Sequence, residues 1–406
     1  MKQKPIKFTQ RIIDYIDTET LSFSLQNVCK HFHGIVNTYN QHQLDFRSIT
    51  KPKFDFFHRL NNPENIISLV ISDGHRTGGQ IKLFLSLFDL RTFTRLRSLA
   101  LIEVTLSASI EYLQHVITHT LDSLSIDYAN RPDLTNNLVS LSLKRLTNLR
   151  KLNINTTSLI LDNIQSPIQH MKLSQCIINT QMYNILLNFP HLETLSLNHV
   201  SLPNINENLT AIMSVKSKLK SLSIEGCGVH MNMVASVLVL TPSLVHLKLV
   251  SWSLMPERFW DGNWWSEFFE MNLMQLKIFE FFFEKQISYN TDVSQDIESI
   301  INSFRTPLWL RKQWHVACNY YKNIQRLELY SIPICKSTIS YQSTRTKISS
   351  SNLKIPALQI MDNIHSLYLP VIPSTAELYD NVIIIPEFLS VTNLHILMFN
   401  LNSFLE

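Results

Sequence analysis

One short pattern recurs along most of this chain: L-x-x-L-x-L, with Ile, Met, Val or Phe able to replace Leu. It stands at Ile66–Leu69–Ile71, Leu96–Leu99–Leu101, Leu121–Leu124–Ile126, Leu149–Leu152–Ile154 and Ile168–Met171–Leu173. It continues at Leu192–Leu195–Leu197, Leu219–Leu222–Ile224, Leu244–Leu247–Leu249 and Leu276–Phe279–Phe281. Looser copies follow at Ile324–Leu327–Leu329, Ile364–Leu367–Leu369 and Leu394–Leu397–Phe399. The first eight copies start 30, 25, 28, 19, 24, 27 and 25 residues apart, and the later steps are 32, 48, 40 and 30. Self-similarity at such a period is the signature of a stacked array.

The Leu-x-Leu part places alternate residues on one face of a strand. The rest of each step returns the chain to a parallel neighbour, commonly through a helix. Gln181–Leu187 and Met231–Leu240 have the apolar spacing of such helices, and Pro190 and Pro242 lie just beyond them. One unit cannot bury its leucines alone, whereas stacked units share a core. The expected fold is therefore α/β, a parallel sheet with its apolar interior on one side.

These triplets resemble the leucine-rich repeat family over roughly residues 65–405. The resemblance implies a solenoid with a curved parallel sheet and helices on the convex side. The position after each strand, usually Asn or Cys in that family, is Val104, Cys176, Val200, Cys227, Trp252 and Ile332 here. An asparagine ladder is thus missing, and uneven curvature is expected. Cys176 and Cys227 read as small buried core residues.

Ahead of the repeats, Ile12, Ile13, Ile16, Leu21, Leu25, Val28, Phe32 and Val36 recur at helical spacing, interrupted by Asp17–Thr20 as a turn. One reading is a helical cap on the array's open end. The segment also resembles the F-box. Pro5 falls on that module's proline, Phe8 on a leucine, Ile12 and Ile13 on its I-F pair, and Ile16 on its final leucine. Val28-Cys29-Lys30-His31-Phe32 matches the V-C-K-R-F end, while Lys4 and Lys7 depart from the first turn. The resemblance implies an adaptor-binding role for Pro5, Phe8, Ile12, Ile13, Ile16, Val28 and Phe32, and a place in a cullin–RING ubiquitin ligase. The expected organisation is an F-box-like segment at 1–45, a linker at 46–64 and repeats at 65–406. Insertions are expected near 252–275, 283–322 and 336–355.

No catalytic motif emerges. Seven glycines make neither GxSxG nor GxGxxG. Gly74-His-Arg-Thr-Gly78-Gly79 has phosphate-loop spacing, but Gln80 and Ile81 occupy the positions of its lysine and hydroxyl residue. That stretch reads as a plain loop. Cys29, His31 and His33 cannot converge on one helix face, so no metal site is assigned. No cofactor is expected, and the chain is read as a binding protein, not an enzyme.

Lys and Arg total 36 against 32 Asp and Glu, without a dense basic block, so nucleic acid is not an expected partner. No apolar run approaches a membrane span, and MKQKPIKFTQRIIDYID is not a secretory signal. Five cysteines at wide spacing suggest no disulfide framework. The expectation is an intracellular protein of the cytoplasm or nucleus, without membrane partners.

A target protein would meet the residues between the core leucines. These are small and polar in early repeats, including Ser123, Ser125, Asn153, Ser196, Ser221 and Ser223. In later repeats they are Lys248, Val250, Glu280, Phe282, Arg326, Glu328, Tyr330, Tyr368 and Met398. This second set is the expected partner-binding surface, since exposed apolar residues rimmed by charge mark interfaces. The competing expectation is that insertions fold over it, making Phe282 and its neighbours ordinary core. Trp252–Phe269, with four of the six tryptophans, reads as a satellite core plug. Lys336–Asn352, rich in Ser and Thr, reads as a mobile loop. A leucine-rich-repeat scaffold with no ubiquitin role is the alternative to a ligase subunit.

Overall fold

The computed structural model describes residues 42–47, 63–74, 78–105, 108–109, 120–129, 133–134, 144–155, 158–159, 166–174, 180–200, 217–226, 231–252, 257–287, 293–321, 324–335, 338–340, 347–350, 366–371 and 393–398; beyond Cys335 the description is of backbone alone. The chain divides into two compact units, Met1–Leu192 and Glu193–Glu406. Both are α/β, built on an open and mostly parallel sheet.

The first unit contains β1 (His42–Asp45), β2 (Ile66–Ser72), helix α1 (Gln80–Leu87), β3 (Ser98–Val104), β4 (Ser123–Tyr128), β5 (Lys151–Asn155), β6 (His170–Ser174) and α2 (Thr180–Asn188). Its strands lie side by side in sequence order and all run parallel. The apolar triplets fall into exact alignment across them. Leu69 pairs with Leu99, Leu99 with Leu124, Leu124 with Leu152, and Leu152 with Met171. Every triplet residue from Ile66 to Leu173 is at most 3% exposed. Each such side chain stabilises the fold by ~1.5–3 kcal/mol relative to an exposed one. The sheet begins upstream of residue 65, because Leu44 on β1 pairs with Leu69 and is itself buried.

The near phosphate loop has a structural use. Gly79 takes a left-handed conformation (φ 77°) ahead of α1. Gln80 is buried, accepts a hydrogen bond from Ser72 N (3.1 Å) and donates one to the Phe46 carbonyl (3.1 Å). The glutamine thereby ties α1 to the β1 and β2 ends.

The second unit contains β7 (Thr194–Val200), β8 (Ser221–Gly226), α3 (Met231–Val239), β9 (His246–Trp252), α4 (Gly262–Asn272), β10 (Ile278–Gln286), α5 (Val293–Ser303), α6 (Pro307–Lys312), β11 (His315–Tyr321), β12 (Arg326–Ile332), β13 (Thr338–Ser340), β14 (Lys347–Ser350), β15 (Ser366–Val371) and β16 (Asn393–Met398). Strands β7 to β10 are parallel, with Leu195, Leu222, Leu247 and Phe279 in register. Then the direction changes: β10, β12, β11 and β14 pair antiparallel. Strands β13, β15 and β16 form a separate parallel sheet in which Leu367 is the register partner of Leu394.

Two expectations need correction. The tenth triplet, Leu327–Leu329, is not parallel to its predecessors, because only four residues join β11 to β12 and a parallel crossover needs a dozen or more. Lys336–Asn352 includes β13 and β14, the latter paired with Ala317–Tyr320, so it is not simply a loop.

A recurring turn leads into the strands. Leu96 N donates to Phe93 O, Leu149 N to Leu146 O, Leu192 N to Phe189 O, Leu244 N to Thr241 O and Leu276 N to Leu273 O. Just beyond it, one carbonyl accepts two successive N–H groups from the next repeat. Arg97, Asp122 and Arg150 do so in the first unit, and Glu193, Lys220 and Val245 in the second. A carbonyl has two lone pairs, so this backbone staple holds register without an asparagine ladder.

The tryptophan-rich segment is core, as expected. Trp265 is fully buried, contacts Phe279 (centroids 5.1 Å) and donates its indole N–H to Phe259 O. Trp309 on α6 donates to Gly262 O (3.0 Å), which ties α6 to the start of α4.

Candidate functional site

The triplet side chains take one face of each strand, so the intervening residues share the other. In the first unit this polar face carries side-chain rungs: Asn153 Nδ2 donates to Ser125 Oγ (3.0 Å) and Asn155 Nδ2 to Asp127 Oδ1 (2.7 Å). In the second unit, Ser196, Ser221, Ser223, Glu225, His246, Lys248 and Glu280 are all half-buried on the parallel strands.

An ion pair and a histidine–carboxylate hydrogen bond lie side by side there. Lys248 Nζ meets Glu225 Oε1 at 2.7 Å, one strand back, and His246 Nε2 meets Glu280 Oε2 at 2.8 Å, one strand forward. Lys248 is also the register partner of Glu280. Burial works to lower the Lys248 pKa, but the hydrogen bond and charge of Glu225 outweigh it and leave the ammonium above its ordinary value. The hydrogen bond from His246 holds the Glu280 carboxyl below its ordinary range against the opposing cost of burial. The strip thus presents fixed charges of both signs with serines beside them. Such a surface can hold a polar protein surface in one register. Among the described residues no group of three His, Cys, Asp or Glu side chains could hold a metal ion.

From Val250 on β9 and Phe282 on β10 onward the same face is closed. Val250, Phe282 and Tyr330 are 3%, 2% and 1% exposed and form a cluster with Ala317, Ile334 and Cys335. Phe282 and Tyr330, cross-strand partners, stack with centroids 6.0 Å apart. Burial pushes the Cys335 thiol up to about 12, which keeps it protonated and unreactive. Val250, Phe282 and Tyr330 are therefore core residues, not exposed anchors. The segment after β12 folds over them, as the competing expectation held.

Arg326 and Glu328 are also drawn inward. Glu284 and Glu328 stand directly opposite in the antiparallel register, an arrangement that repels. Arg326 sits between them, 2.9 Å from Glu328 Oε1 and 3.8 Å from Glu284 Oε1, with its guanidinium 5.1 Å from the Tyr321 ring centre. Tyr321 Oη donates to Glu328 Oε2 (3.1 Å). This is a structural neutralisation, not a docking surface.

Of the expected partner-binding set, Lys248 and Glu280 remain accessible and adjacent. For Tyr368 and Met398, on β15 and β16, only the backbone is described. The expected adaptor-binding residues Pro5, Phe8, Ile12, Ile13, Ile16, Val28 and Phe32 lie outside the described residues, as do Cys29, His31, His33, Cys176 and Cys227. Glu225 and His246, which complete the charged strip, stood among the inter-leucine residues without being singled out. Their alternate signs across adjacent strands were the signal. Among the described residues, no helix is long and apolar enough to cross a membrane. No protein-family model matches this sequence, and no curated protein is similar to it.

Proposed function

We propose that this chain is a leucine-rich-repeat solenoid that holds a target protein on the polar strip of its sheet, as the substrate-recognition subunit of a cullin–RING ubiquitin ligase. The observation that carries the binding role is the register of the parallel strands. Alignment of the leucines places Lys248 opposite Glu280 on the other face and Glu225 one rung further along, where it pairs with Lys248, all three half-accessible and charged. Ubiquitin transfer would be performed by a separate enzyme, and the chain itself performs no chemistry. The F-box-like residues support the ligase assignment through their sequence alone, chiefly Val28-Cys29-Lys30-His31-Phe32. A cytoplasmic or nuclear location accompanies this role.

Co-purification with the ligase adaptor tests the assignment, beside an authentic F-box protein as control. Retention of the adaptor by the wild-type chain, lost in a Val28→Ala/Phe32→Ala variant, is the expected result. If only the control retains it, the chain is an interaction scaffold whose N-terminal segment caps the repeats. Target binding is tested separately. A Lys248→Glu variant weakens capture of a target by about tenfold or more, since it places three carboxylates together.

A further inference from the structure

On the helix-bearing side of the second unit, a pocket opens between the end of α4 and α6. Its volume is about 220 Å³. Phe269, Leu273, Leu276, Leu308 and Trp314 supply its apolar walls. Ligand sites for whole small molecules begin near ~300 Å³, so this one is sized for a single large side chain. Met274, at its mouth, is 80% exposed. Helices α4 and α6, which build the pocket, also leave Met271 and Leu310 at 72% and 59% exposure. Exposed apolar side chains on the elements that frame a cavity favour an interaction surface, and methionines such as Met274 adapt to varied ligands.

The charges at the mouth specify the partner. Arg311 and Lys312 line it together with Glu270. Glu270 is taken by Arg311 at 3.2 Å. Lys312 Nζ donates to the Leu276 carbonyl (2.7 Å) and lies 5.7 Å from the centre of the Trp314 ring. Trp314 is itself fixed by donating to Lys277 O (3.1 Å). Among the described residues no carboxylate lies within ion-pair distance of Lys312. Its ammonium is thus positioned beside an apolar cavity with its charge uncompensated.

We infer that this pocket docks a peptide segment of a partner protein, with a bulky apolar side chain entering the cavity and a neighbouring Asp or Glu meeting Lys312. The site is separate from the polar strip and does not depend on the ligase assignment.

The test is selection of a random dodecapeptide library on the full-length chain, followed by anisotropy titration of the enriched peptides. Enrichment of Leu, Phe, Ile or Trp next to Asp or Glu is expected. Lys312→Met should weaken such peptides about tenfold, as should replacing their acidic residue by its amide, and the two losses should not add. Met274→Asp should weaken them through the rim, whereas Arg91→Met, at an exposed side chain outside the pocket lining, should not. Unchanged melting of Lys312→Met and Met274→Asp shows that folding is intact. The inference is overturned if no such motif is enriched, if both variants bind the enriched peptides like wild type, or if decanoate occupies the pocket while peptides do not.

Discussion

Within the second unit, β8 and β12 carry the same Leu-x-Leu core yet end with opposite surfaces. Strand β8 alternates strictly between buried and half-buried residues. Strand β12 is buried at five successive positions, Leu327 to Ser331. Both give their leucines to the apolar interior, so the difference lies on the other face. On β8 the residues of that face stay half-buried, with Glu225 paired to Lys248 of the neighbouring strand, and the polar side chains keep part of their water. On β12 it is covered by Ile334 and Cys335 and flanked by β10 and β11. A repeat pattern therefore dictates one face of a strand and leaves the second to whatever follows in the chain. Surface reading of inter-leucine residues holds only while the array stays parallel and uncovered.

The largest expected effect tests that boundary directly. Tyr330→Ala opens a cavity against Phe282 and Val250 and should destabilise the chain by ~3–5 kcal/mol in chemical denaturation. A loss under about 1 kcal/mol would mean that the face is open after all. Next in size is Arg326→Met, which leaves Glu284 and Glu328 facing each other and should cost about 3 kcal/mol. Adding Glu284→Gln should recover part of it, because the repulsion between opposed carboxylates is then gone.

A smaller effect belongs to the open strip and is read through pH. Glu280 has a folded-state pKa below its unfolded value. Its contribution is therefore complete above the ordinary glutamate range and is lost as pH falls through the lower folded value. Lys248 behaves oppositely: its contribution is complete below the ordinary lysine value and is lost as pH rises through the raised one. Both groups are partly exposed, so each term is about 1 kcal/mol or less. Stability curves of Glu280→Gln should flatten only at the acid limb, and those of Lys248→Met only at the alkaline limb. The smallest effect is Ser223→Ala, expected within ~0.5 kcal/mol of wild type in melting. A larger change there would place Ser223 in a covered core and erase the contrast with β12.

Much of the parallel architecture was legible in the triplets, since a strand with Leu at alternate positions has one way to bury them and neighbours must match it. The return helices at 180–188 and 231–239 were legible for the same reason, through their 3.6-residue spacing. A further signal went unread. An apolar or threonine residue three positions before five of the first leucines, Phe93, Leu146, Phe189, Thr241 and Leu273, marks the turn that enters the strand. The accessible charged strip was half legible: Lys248 and Glu280 were expected at a surface, but their partners Glu225 and His246 emerge only when strands are laid side by side.

The sequence by itself determined which residues are interior on each strand, because apolar periodicity is a local property that water enforces one residue at a time. Only the tertiary structure decided strand direction past β10 and which polar faces stay open. The four residues joining β11 to β12 compel an antiparallel return, and the fold of the chain after Ile332 brings Ile334 and Cys335 onto Phe282, more than fifty residues away. Burial on that second face is a consequence of distant segments meeting, and no local pattern at Phe282 or Tyr330 encodes it.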